Sequence, residues 1–225
     1  MRIFIHICLL MTLLLTASCT KVYTWNQKLT VTVQTPTGEV SGYSVTEVTK
    51  THSDSWYDLP EARGVRSDVR GEAVVVEVTP GKYLFVLLDG VEDLAYQTFT
   101  QFPYTRGSEF DRWARSIERH RGSAEVPQDA YPMMVTFSDI NDPTSVQRVD
   151  PNNLTTIIGE GFMLTGMALE ITDEVVTADG ITQLLNWLIS IWPNRLDGQR
   201  YTTVNSQNRF ANSLSANDFS TELFK

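Results

Sequence analysis

Cysteine and histidine are scarce in this chain. Among 225 residues there are two cysteines, Cys8 and Cys19, and three histidines. Two cysteines this far toward the N-terminus cannot build a disulfide framework or a cysteine-based zinc site in the body of the protein. His52 and His120 stand far apart, with no partner at metal-ligand spacing. Positive charge is also short: 18 Lys and Arg face 27 Asp and Glu, for a net charge of −9. A protein that coats nucleic acid needs the opposite balance. No apolar run reaches the roughly 20 residues of a membrane-spanning helix.

Nucleotide and nucleophile motifs are missing as well. Gly159-Glu160-Gly161 lacks the third glycine of a dinucleotide fingerprint and precedes an expected strand rather than a helix. There is no phosphate-binding G-x-x-x-x-G-K-[ST] loop. Ser44 follows Gly42 as in a nucleophile elbow, but Thr46 replaces the closing glycine. What the chain does have is ordinary globular composition, 42% hydrophobic and 20% charged. Its length suits one hydrophobic core, or at most two small ones.

The N-terminus reads as an export signal. Arg2 supplies a positive start, Ile3–Leu15 is an almost wholly apolar run, and small residues follow. Its ending, Leu15-Thr16-Ala17-Ser18-Cys19, resembles the lipobox of bacterial lipoprotein precursors, with Thr16 where leucine is commoner. The resemblance implies removal of residues 1–18 and acylation (diacylglycerol, palmitate) of Cys19; simple cleavage after Ala17 or Ser18 is the alternative. Removing residues 1–18 takes away Arg2 and no acidic side chain, so the mature body is still more acidic. Thr20, in the place where aspartate marks inner-membrane retention, implies an outer-membrane lipoprotein facing the periplasm. The membrane is then a partner through acyl chains alone, each buried methylene contributing about 0.8 kcal/mol.

Residues 19–27 are expected to be the lipidated end and a short polar tether, eight residues spanning at most about 26 Å. Residues 28–193 are expected to fold as a single β-rich domain. Leu29, Val31 and Val33 alternate with polar residues as in a half-buried strand, Thr35–Gly38 is a turn, and Glu39–Val48 returns, with a bulge expected at Gly42. A polar loop is expected over 50–68, then a strong strand over Val69–Val78. The Thr79-Pro80-Gly81-Lys82 turn leads to a partner strand over Lys82–Asp89, apolar enough to be covered on both faces. Ser108–His120 reads as a helix with Phe110, Trp113, Ala114 and Ile117 on one face, and with Ser108 and Asp111 in capping-box positions. Further strands are expected over Met133–Phe137 and Phe162–Thr172, the latter with Met163, Met167, Leu169 and Ile171 on one side. A helix is expected over Ile181–Ile191, capped by Asp179 and stopped by Pro193. Residues 194–225 are polar and read as a tail laid over the domain or partly disordered. The fold class is α+β, β-rich, a mostly antiparallel sheet or sandwich with one or two packed helices.

No cofactor or metal site is expected. Asp139-Ile140-Asn141-Asp142 has carboxylates at turn spacing but lacks the glycine and distal glutamate of a calcium loop. Asp173 and Glu174 alternate faces, which suits solvation. Arg112, Arg115 and Arg119 fall opposite the aromatic face of the helix, joined by Arg106 and Arg121 and offset by Glu109, Asp111 and Glu118. They form either a solvated face with an Asp111–Arg115 pair or a contact for phosphate or carboxylate groups, on lipid or on an envelope protein.

Several further segments resemble a group of uncharacterised proteobacterial proteins: Thr35–Gly38, Ser41–Val48, Val69–Val74, Thr136–Pro143 and Leu169–Glu174. That resemblance implies a shared fold and no activity. The expected function is therefore binding or assembly by a lipid-anchored envelope protein, without catalytic signature. The alternative is a periplasmic hydrolase whose Ser, His and Asp meet only in three dimensions.

Overall fold

The computed structural model describes residues 20–53, 63–102 and 108–223. The export signal, Cys19 and Arg106 lie outside the described residues. Among the described residues nine strands form two sheets in which every pairing is antiparallel: β1 (Lys21–Thr35), β2 (Gly38–Ser53), β3 (Gly64–Arg70), β4 (Val74–Thr79), β5 (Lys82–Val86), β6 (Gly122–Glu125), β7 (Met134–Phe137), β8 (Val146–Val149) and β9 (Met163–Thr172). The larger sheet runs β3-β2-β1-β9-β6 and the smaller β4-β5-β7-β8. The helices are α1 (Leu94–Thr98), α2 (Ser108–Arg119), α3 (Gly180–Leu184), α4 (Leu188–Ile191) and α5 (Arg209–Ser213). This is the expected β-rich α+β class.

The first hairpin is longer than its apolar pattern suggests. β1 starts at Lys21, so residues 21–27, expected as tether, are strand, paired from Lys21↔His52 to Thr35↔Gly38. Tyr23, Trp25, Gln27, Leu29, Val31 and Val33 all face inward. Gln27 hides the period because it is polar at an inward position. Its amide is fully buried, accepts from Trp25 Nε1 at 3.0 Å and donates to the Val91 carbonyl at 2.8 Å, which offsets the cost of burial. β2 runs to Ser53 for the same reason, with Lys50 and His52 inward, so residues 50–53 and 64–68 of the loop expected over 50–68 are strand, and residues 54–62 lie outside the described residues.

Gly42 does not mark a bulge: its register with Val31 is continuous. A Cβ there would lie 2.0 Å from the Val75 carbonyl oxygen, so glycine lets the two sheets cross closely. The strand expected over 69–78 is two strands in different sheets, divided at Gly71 (φ +138°). Within the larger sheet an irregularity lies in β9, whose register with β1 shifts between Gly166 and Leu164. Thr165 is the extra residue and its hydroxyl donates to the Thr32 carbonyl. Side-chain phase inverts there, so Met163 is exposed and Leu164 turns toward the core.

The smaller sheet is covered on both faces. Val74, Val76, Leu84 and Val86 face the larger sheet, while Phe85, Val135, Phe137 and Val146 face a second cluster built by residues 181–223. In that cluster Ile181, Leu185, Trp187, Leu188, Leu196, Leu214 and Phe219 are buried. The polar C-terminal segment is thus tied down by few apolar residues and many hydrogen bonds. Asn212, fully buried, donates to Asp197 and to the Tyr201 carbonyl and accepts from Thr203 N. The chain then runs beside Gly71–Ala73, with Ala73 N donating to Phe219 O and Thr221 N to Gly71 O.

The helix expected over 181–191 is broken at 185–187 into α3 and α4. Asp179 stands at the N-cap of α3 with φ +67° and makes no capping bond. Glu72 caps it instead: its Oε2 accepts from Gly180 N (3.0 Å) and Ile181 N (3.1 Å).

Candidate functional site: the arginine face beside the start of the first strand

α2 forms because Phe110, Trp113, Ala114 and Ile117 recur at helical spacing, and all four are buried. It lies over the start of β1. Tyr23 meets Phe110 edge-on (6.1 Å) and Trp25 meets Trp113 likewise (5.9 Å), the favoured geometry for such rings. Thr24 N donates to Glu118 Oε1 at 3.1 Å. Asp111, expected in a capping box, is turned inward. One carboxylate oxygen takes Lys21 Nζ at 2.6 Å and the other faces His52 Nδ1 at 2.7 Å.

Burial raises the Asp111 carboxyl, but hydrogen bonds from Lys21 and His52 outweigh it and hold the group below the ordinary aspartate range. Tyr23 beside it is raised, first by burial and then by the Asp111 charge. His52 also packs edge-on against Phe110, 5.3 Å between centroids. This cluster is a clamp joining helix to hairpin. The Asp111–Arg115 side-chain pair is absent, since Arg115 Nε donates to the Asp111 backbone carbonyl.

The opposite face of α2 is exposed. Arg112, Arg115 and Arg119 are all at the surface and with Ser116 line a shallow groove of about 370 Å³. Among the described residues none of these three arginines pairs with a carboxylate. Arg121, grouped with them in the sequence, is spent on Asp173 (2.5 Å).

The other sequence candidates are dispersed. His52 has the carboxylate of a triad, yet among the described residues no hydroxyl is hydrogen-bonded to it. Ser44 donates to the Glu72 carbonyl, eight residues along β2 and roughly 26 Å away. His120 packs against the rings of Phe99 and Phe102. Asp139 and Asp142 accept backbone bonds from Asn141 and Thr144, as turn residues do. Lys50, not singled out by its place in the sequence, bonds Ser67 Oγ and Asp93, each at 2.7 Å. These bonds make Lys50 a tie between β2, β3 and the segment before α1. Glu72 is likewise inconspicuous in the sequence. Burial pushes that carboxyl up against the lowering effect of its two backbone bonds, and its Oε1 is buried without a partner. Lys50 sits at an inward position of β2, whereas Glu72 lies between β3 and β4, so its partners are set by the fold alone.

A cleft of about 720 Å³ lies at the edge of the smaller sheet, between Asp89, Gln97, Asp129, Tyr131, Arg148 and Asp150. Among the described residues no three ligand-type side chains converge to hold a metal ion. Nor is any helix among them long and apolar enough to cross a membrane. No protein-family model, no curated protein and no solved structure matches the chain.

Proposed function

We propose that this chain is a lipid-anchored protein of the bacterial cell envelope, exported by residues 1–18 and held by acyl chains on Cys19. Its body faces the periplasm, from the outer membrane, and works by binding or assembly. The observation that carries the reading is the ending Leu15-Thr16-Ala17-Ser18-Cys19 behind a short apolar run. The start of β1 at Lys21 supports it physically. Two peptide units separate Cys19 from Lys21, at most about 7 Å, so an acylated Cys19 would seat the domain on the membrane without a flexible spacer. The second cysteine, Cys8, lies in the removed segment, so no thiol would remain.

Metabolic labelling with fatty acid tests the reading. The wild-type protein should take up label and fractionate with membranes, and Cys19→Ala should lose the label. The mass of the N-terminal fragment separates a cleaved, acylated protein from an uncleaved precursor. An unmodified Cys19 thiol in the mature protein would overturn the proposal.

A further inference from the structure

We infer that Arg112, Arg115 and Arg119 are a docking face for the phosphate groups of anionic phospholipid, in the same membrane that Cys19 enters. The inference rests on the acylated-anchor reading and adds to it a defined orientation.

Three observations converge. The first is place. Lys21, two residues beyond Cys19, is bonded to Asp111 in the first turn of α2, so the helix begins where the anchor would enter the lipid. The second is direction. The aromatic face of α2 is buried on β1, which fixes the helix and turns its arginine stripe outward. From Arg112 to Arg119 the stripe is about 10 Å long at 1.5 Å per residue. The third is charge. The acidic side chains of α2 that would neutralise the stripe are largely engaged elsewhere. Asp111 points inward to Lys21 and His52, and Glu118 accepts from Thr24 N; Glu109 alone remains beside it. On a protein of net charge −9, three guanidinium groups that pair with no carboxylate among the described residues form a local cationic face.

Guanidinium suits this role because its fork of N–H donors matches phosphate oxygens and it stays charged at any working pH. Each arginine near an anionic bilayer favours the bound orientation by about fivefold, so three reach roughly 100-fold. That is enough to set the orientation of a body already tethered, and too little to bring an acidic protein to the membrane by itself.

The test uses the full-length, processed protein carrying Ser116→Cys, labelled in the groove with an environment-sensitive fluorophore. Reconstitution is into vesicles of zwitterionic lipid, with or without one-third phosphatidylglycerol, and headgroup-level nitroxide lipid is the quencher. Strong quenching is expected with phosphatidylglycerol, falling in zwitterionic vesicles, in high salt, and in the Arg112→Gln/Arg115→Gln/Arg119→Gln variant. A probe at Thr37, at the far tip of the first hairpin, should stay bright throughout. Acylated protein with equal or absent quenching in both vesicles would overturn the docking face alone. A groove dark to nitroxide in vesicles but shielded from solvent in native membranes would give the face to a protein partner, and so also overturn it. A mass showing unmodified Cys19 would overturn the anchor, and the docking face with it.

Discussion

His52 Nδ1 lies 2.7 Å from Asp111 Oδ1, joining the end of β2 to the first turn of α2 across 59 positions of sequence. The same carboxylate holds Lys21 on the neighbouring strand, so one buried aspartate ties three elements together. Removing it takes one carboxylate away from both His52 and Lys21.

Asp111→Ala should therefore destabilise the protein by about 3 kcal/mol, in the range for breaking one partner of a buried pair. Denaturant titration measures this. Because the folded carboxyl is held below its ordinary value, the stabilisation is present above about pH 4 and disappears as pH falls through the lowered folded value. The wild-type Tm should drop in that acid window, and the Asp111→Ala curve should lose this contribution.

Glu72 should show the opposite sign. Its carboxyl is raised by burial, so the folded state holds the proton more tightly than the unfolded one. Stability then declines as pH rises from about 4.5 through the folded value and stays reduced above it. Glu72→Gln keeps an acceptor for Gly180 and Ile181 without a buried charge. Its Tm at pH 8 should equal or exceed that of wild type, and this part of the pH slope should vanish. A Glu72→Gln protein that melts well below wild type at pH 8 would contradict it.

Phe85 and Val86 are neighbours on opposite faces of the same strand, each buried in a different cluster. Asp at either position places an unpaired charge in a dry core and should prevent folding. Phe85→Ala is the milder variant, and should cost about 3–5 kcal/mol. Soluble yield and circular dichroism separate the two outcomes. Normal stability in both Asp variants would exclude the smaller sheet from the core.

Gly42→Ala tests the crossing of the sheets. The added methyl would collide with the Val75 carbonyl, which is backbone and cannot rotate away. The loss should be at least about 1–3 kcal/mol, as for other overpacked sites. Gly38→Ala, at the hairpin turn, meets no atom and serves as the comparison for backbone strain alone, its φ being +133°.

Sequence by itself determined the elements whose periodicity is uninterrupted: the strand from Leu29 to Val33, the Thr79–Lys82 hairpin, the buried face of α2, and the β-rich class. It also determined the lipobox reading, since that depends on local residue order and not on packing. Tertiary structure decided wherever a polar residue faces inward. Gln27, Lys50 and His52 break the alternation on paper, yet each keeps its strand because a distant partner (Val91, Asp93 or Asp111) satisfies it. Only the fold could show that Asp111 clamps rather than caps, that Glu72 caps a helix 108 positions away, and that a Thr165 bulge inverts β9. The arginine stripe was visible as spacing; its position beside Lys21 was not. Periodicity records what a residue does with its neighbours in sequence, whereas a buried polar group is settled by partners that meet only when the chain closes.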